Sequence, residues 1–138
     1  MFTPVSTRAA SAYRQVDVET SVDGASPHHL VRLLFDALTQ SLLVARAAMA
    51  RGDVETKGRE IGKAVRIIEE GLKASLNEQQ GGEVAVNLRT VYSYCARNLT
   101  LANLKNDESK LVEVMDLMAP IADAWKQIDG ATFPDTGE

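Results

Sequence analysis

The stretch SPHHLVRLLFDALTQSLLVARAAMARGD, residues 26–53, decides the fold. Ser26 can accept hydrogen bonds from the free N–H groups of a helix start. Pro27 suits the first helical position because it has no N–H to lose there. From that point Leu30, Leu34, Ala37, Ser41, Ala45 and Ala48 recur at three- and four-residue spacing. Val31, Phe35, Leu38, Leu42 and Met49 form a second stripe beside them. Arg32, Asp36 and Gln40 fall on the wet side. Gly52 can close the helix and Asp53 can cap the next one.

Outward from this helix the pattern repeats three times. The spacing predicts a second helix over 54–75, with Ile61, Val65, Ile68 and Leu72 inward. Gly58, Gly62 and Gly71 weaken it, each by about 1 kcal/mol relative to alanine. The stretch NEQQGG, residues 77–82, reads as a break. A third helix is expected over 83–105 and a fourth from after Asp107 to about residue 128, with Pro120 interrupting and kinking the last. Each helix would be roughly 30–35 Å long. Short connections make sequence neighbours antiparallel. The expected fold class is all-α: an antiparallel up-down-up-down four-helix bundle with an irregular N-terminal segment. Its parts are a flexible segment over 1–25, the bundle over 26–129 and a disordered tail over 130–138.

Composition narrows the function. The 138 residues carry 15 Lys and Arg against 19 Asp and Glu, a net charge of -4. The arginines are scattered, so no basic stripe suited to nucleic acid is expected. A lone cysteine, Cys95, cannot pair within the chain. The first residues lack the apolar core of a signal peptide, and apolar runs are short. The expected location is the cytoplasm, without stable membrane insertion. His28 and His29 are adjacent, so on a helix their side chains diverge by about 100° and do not converge on one metal. Glu69 and Glu70 diverge in the same way. QQGGE lacks the lysine and hydroxyl of a phosphate-binding loop. No catalytic set, metal site or cofactor is expected, and the chain does not read as an enzyme.

Function is then expected to lie in the surface. A bundle helix needs an apolar arc of somewhat over 100°, whereas the arc on the first helix approaches roughly 200°. The third helix has a similar excess. Leu33, Leu42, Ile67, Tyr92, Tyr94 and Leu101 lie at arc edges or off the main stripes and are expected to be reachable by a protein partner. Leu34, Leu88, Cys95, Met118 and Trp125 are expected in the core. Three readings of the surplus stay open on pattern alone: ordinary exposed apolar atoms, burial under the N-terminal segment or in a homodimer, and a groove for another protein's helices.

The order of motifs resembles the flagellar secretion chaperones, the FliS family. The likeness runs from SAYRQVDVET (11–20) and ASPHHLVRLLFDAL (25–38) through ARAAMARGD (45–53) and IGKAVRIIEEGLKASL (61–76). It continues in GGEVAVNLRTVYSYCARNLTLANLKND (81–107) and LVEVMDLMAPIADAWKQI (111–128). The resemblance implies a cytoplasmic four-helix bundle that holds the disordered C-terminal segment of flagellin. It would prevent premature polymerisation and support type III flagellar export, with an export-gate component as a second partner. It also implies that an N-terminal segment containing Tyr13 and Val16 covers part of the binding surface. The chain departs from the family pattern in the spacer Ser21–Gly24, in Ala37 where glycine is frequent, and in Cys95 where methionine is frequent. The alternative is a homodimeric helical adaptor without a flagellin client. A weak homodimer is compatible with either reading.

Overall fold

The computed structural model describes residues 26–130. Tyr13, Val16, the segment 1–25 and the tail beyond residue 130 lie outside the described residues. Four helices follow one another: α1 (Pro27–Ala50), α2 (Val54–Arg66, continued by a π-helical Ile67–Leu72), α3 (Glu78–Lys105) and α4 (Glu108–Gly130). No strand occurs among the described residues. α1 packs against α2 and α4, and α3 against the same two, which closes the ring of an up-down-up-down bundle.

The punctuation is chemical. Ser26 Oγ accepts from His29 N at 3.1 Å, and Asp53 Oδ1 accepts from Thr56 N at 3.1 Å. Each thereby satisfies a helix-start donor that has no intrahelical partner. Asp107 Oδ1 does the same for Ser109 N at 3.0 Å. At the end of α3, Asn106 sits in the left-handed region (φ 52) and its N–H reaches back to Ala102 O. Lys57 crosses from α2 to finish that end. Its Nζ donates to Asn103 O at 3.2 Å and to Asn106 Oδ1 at 3.0 Å, although Lys57 is itself buried. A cation here also complements the negative end of the helix dipole.

The core takes Leu34, Phe35 and Leu38 from α1, Ile61, Ile68 and Leu72 from α2, Cys95 and Leu99 from α3, and Leu111, Val114 and Met118 from α4. By length and composition alone α1 is apolar enough to cross a membrane, contrary to the sequence expectation. In the bundle eight of its residues are buried against the other helices.

Three details differ from the periodicity. First, the end of α2 is π-helical, with Lys73 N bonded to Ile68 O at 2.9 Å. A π turn is wider than an α turn, so adjacent residues can both face inward. The pairs Ile67–Ile68 and Gly71–Leu72 are buried accordingly. Second, Glu78–Gly81 forms an extra helical turn capped by Asn77, and the break is concentrated at Gly82, whose φ 55 and ψ -129 are strained for any residue with a Cβ. Arg89 on the main helix pairs with Glu78 on that extra turn, tying the two across the break. Third, Pro120 does not interrupt α4. It is exposed, as is Asp116, the residue four positions earlier whose carbonyl the missing N–H would have bonded.

Candidate functional site

At one end of the bundle the start of α1, the connection after α2, the start of α3 and the end of α4 do not close completely. They leave a groove of about 630 Å³. The antiparallel order brings these four ends together. Val31, Leu34 and Tyr92 are buried at its floor, and Leu30, Leu76 and Leu88 are half-buried along its walls. Val84, 66% exposed, stands on the rim. Trp125 forms the α4 side, and His28 on α1 leans against it with ring centroids 5.2 Å apart and planes at 40°.

No Asp, Glu, Lys or Arg is among the described residues lining this groove, although a quarter of the chain is charged. Two of its polar side chains are spent on the backbone. Ser75 Oγ donates to Leu72 O at 2.9 Å, and Asn77 Oδ1 accepts from Gln79 N and Gln80 N, both at 3.1 Å. The surface on offer is therefore apolar, with an uncharged polar margin. Such a surface gains from contact with apolar side chains at about 25 cal/mol per Å² removed from water.

Beneath the floor the Tyr92 and Phe35 rings lie 6.5 Å apart at 58°, a tilted aromatic pair. Burial pushes the Tyr92 phenol well above its usual range, with Cys95 adding to the shift. Burial likewise pushes the Cys95 thiol up to about 11, with the Glu113 carboxylate contributing. Both groups stay protonated at neutral pH. Cys95 is fully buried and behaves as a small apolar filler. No group of three or more His, Cys, Asp or Glu side chains able to hold a metal occurs among the described residues.

The residues singled out from sequence do not gather at one place. Tyr92 reaches the groove, but as buried floor. Leu42 and Ile67 are buried in the core, which corrects their placement at the surface. α1 is flanked by both α2 and α4, which absorbs the edge of its arc at Leu42, and the π turn rotates Ile67 inward. Leu33 and Leu101 are half-buried elsewhere. Tyr94 is 45% exposed on α3, where its hydroxyl donates to Glu113 Oε2. That bond to the Glu113 carboxylate raises the Tyr94 pKa above the usual phenol value. Conversely, Leu88 and Trp125, expected in the core, are half-buried groove walls, whereas Leu34, Cys95 and Met118 are core. None of His28, Leu30, Leu76 and Val84 is among the residues expected at a binding surface, yet all four line the groove. Their signal is positional: an imidazole and three apolar side chains near helix ends that the antiparallel order brings together.

Fold and groove together define a four-helix bundle with an open, largely apolar groove at one end. Residues 9–132 match the family described as flagellar protein FliS, and the chain belongs to that family. It is 49% identical over 117 residues to the flagellar secretion chaperone FliS of Salmonella typhimurium, covering 85% of this chain and 87% of that one. The flagellar secretion chaperone FliS of Escherichia coli is 43% identical over 120 residues, 87% of this chain and 88% of its own. That of Bacillus subtilis is 34% identical over 117 residues, 85% and 83% respectively.

Proposed function

We propose that this protein is a cytoplasmic export chaperone for flagellin. It holds the disordered C-terminal region of the newly made subunit, keeps subunits from polymerising early and supports their delivery to the flagellar type III export apparatus. Membership of the FliS family supports the class of activity. The observation that carries the reading is the open, charge-free apolar groove. A polymerising subunit must hide its sticky apolar face, yet it cannot be stored fully folded if it is to pass a narrow channel. An apolar groove on a preformed bundle meets both needs, because it buries the client's side chains without completing the client's own fold. Ordering a disordered segment costs several kcal/mol, which apolar burial offsets. In this reading residues 1–25, with Tyr13 and Val16, act as a displaceable cover, since the chain enters α1 at Pro27 on the groove's edge. The work is done by binding, with no covalent step.

Calorimetry of the full chain with a flagellin C-terminal peptide tests this. Binding with a strongly negative heat-capacity change is expected. Val84→Lys puts a cation on the exposed rim, where it is tolerated by the fold, and should weaken binding roughly tenfold or more. Absence of binding at tens of micromolar, or an unaffected Val84→Lys variant, would overturn the reading.

A further inference from the structure

Away from the neutral groove, α1 and α4 enclose a second, shallower depression of about 550 Å³. Val112 and Leu117, both half-buried, give it an apolar floor. Its rim has the opposite character to the first groove: Glu108, Glu113 and Asp116 face a single cation, Arg46. Arg46 Nε donates to Glu108 Oε2 at 2.9 Å, which neutralises one carboxylate. Glu113 accepts from the Tyr94 hydroxyl and from Asn98 Nδ2, the latter at 2.9 Å. Those bonds hold the carboxylate in place without adding positive charge. Asp116 is exposed and forms no ion pair among the described residues. One turn before Arg46, Leu43 is 49% exposed.

We infer that this depression docks a basic amphipathic helix of a second protein, distinct from the client of the neutral groove. The two uncompensated carboxylates favour Lys or Arg at the rim, and the Val112–Leu117 floor favours an apolar side chain between them. A helix suits the floor better than an extended strand. The neighbouring backbone is all helical and has no strand edge to pair with, so an extended segment would press unsatisfied N–H and C=O groups against Val112 and Leu117. Charge complementarity of this kind gives selectivity and a fast encounter.

The probe is a synthetic amphipathic helix of about five turns, leucine on one face and lysine on the other, titrated into the isotopically labelled full chain. Amide resonances around Asp116, Leu117 and Arg46 are expected to shift, with those around Leu30 and Leu88 unmoved. Asp116→Lys, a change at an exposed position, should weaken the probe at least tenfold while leaving the flagellin peptide's affinity intact. Raising salt from about 50 to 300 mM should weaken the probe severalfold, since exposed charges are screened. Replacing the probe's leucines by serine should abolish most of its affinity. Equal binding by the serine version would reduce the effect to non-specific charge attraction and overturn the inference. Shifts confined to the neutral groove, an indifferent Asp116→Lys variant, or displacement of the probe by the flagellin peptide would do the same. So would a change in oligomeric state, or in the resonances of Arg8 and Arg14, on charge reversal in the free protein, for these would assign the depression to a second copy or to the chain's own first residues. If flagellin fails to bind while the probe behaves as expected, the proposed client falls and this surface stands.

Discussion

Lys57 illustrates how much one side chain can settle. A buried ammonium is costly unless its hydrogen-bonding capacity is used, and here two acceptors at the end of α3 use it. Asn103 is among the last residues of α3, whose carbonyls have no intrahelical donor. Lys57→Met keeps the aliphatic stem but strips both bonds. It should cost about 1–3 kcal/mol, read as a lower urea midpoint with an unchanged slope. Lys57 lies one turn before Ile61, in line with the inward stripe of α2, but its residue type argues against burial. A lysine is ordinarily read as wet, and its partners lie 46 and 49 residues further along. By contrast Ser26, Pro27 and Asp53 were legible at once, because a helix start needs only local chemistry. Tyr92 and Cys95 lie between these cases: periodicity gave their face, but only the packed neighbours reveal how deeply they sit.

Among the elements, the lengths and order of all four helices follow from apolar spacing, and the departures have identifiable causes. The wheel drawn at 3.6 residues per turn fails where α2 widens into its π segment, and Ile67 is misplaced for that reason. α3 gains a turn before its break because Asn77 caps it and Arg89 holds it. The break itself rests on Gly82. Gly82→Ala forces a side chain into φ 55, ψ -129 and should destabilise by roughly 1–3 kcal/mol. Gly62→Ala is the matched control. It is exposed within α2, with nothing within 4 Å of an added Cβ. That change should instead stabilise by about 0.5–1 kcal/mol. Thermal melts of the two variants against the parent check both signs. The groove was the least legible feature, since it is made by four helix ends meeting, and no single helix carries a pattern for it. Leu88 and Trp125 satisfy the rule for core positions and miss burial only because the bundle stops short of closing around them.

For the whole molecule, buried protonated groups set a limit on the alkaline side. The Cys95 thiol is raised from an ordinary 9.0 to about 11, and Tyr92 is raised as well. An unfolded chain ionises these groups first, so above pH 9 it binds fewer protons than the native one. Stability is therefore fully present below pH 9 and falls as pH rises toward 11. The Cys95 share is on the order of 2 kcal/mol. Urea midpoints measured from pH 7 to 11 should stay level and then drop, and Cys95→Ala, less stable at neutral pH, should drop less steeply. An equally steep fall in that variant would count against the assignment. On the acid side the helix-start carboxylates act in the other direction. Hydrogen bonds from Thr56 hold Asp53 below the usual carboxylate range, and bonds from Ser109 do so for Asp107. Their contribution is present at neutral pH and fades as those carboxylates protonate.

Trp125 is the only tryptophan in the chain, and it stands in the groove wall with the His28 imidazole against its face. The molecule thus carries a native optical reporter where its cargo is proposed to sit. Ultraviolet emission from that single indole registers a guest by the change in its polarity and quenching, with no dye and no engineered label.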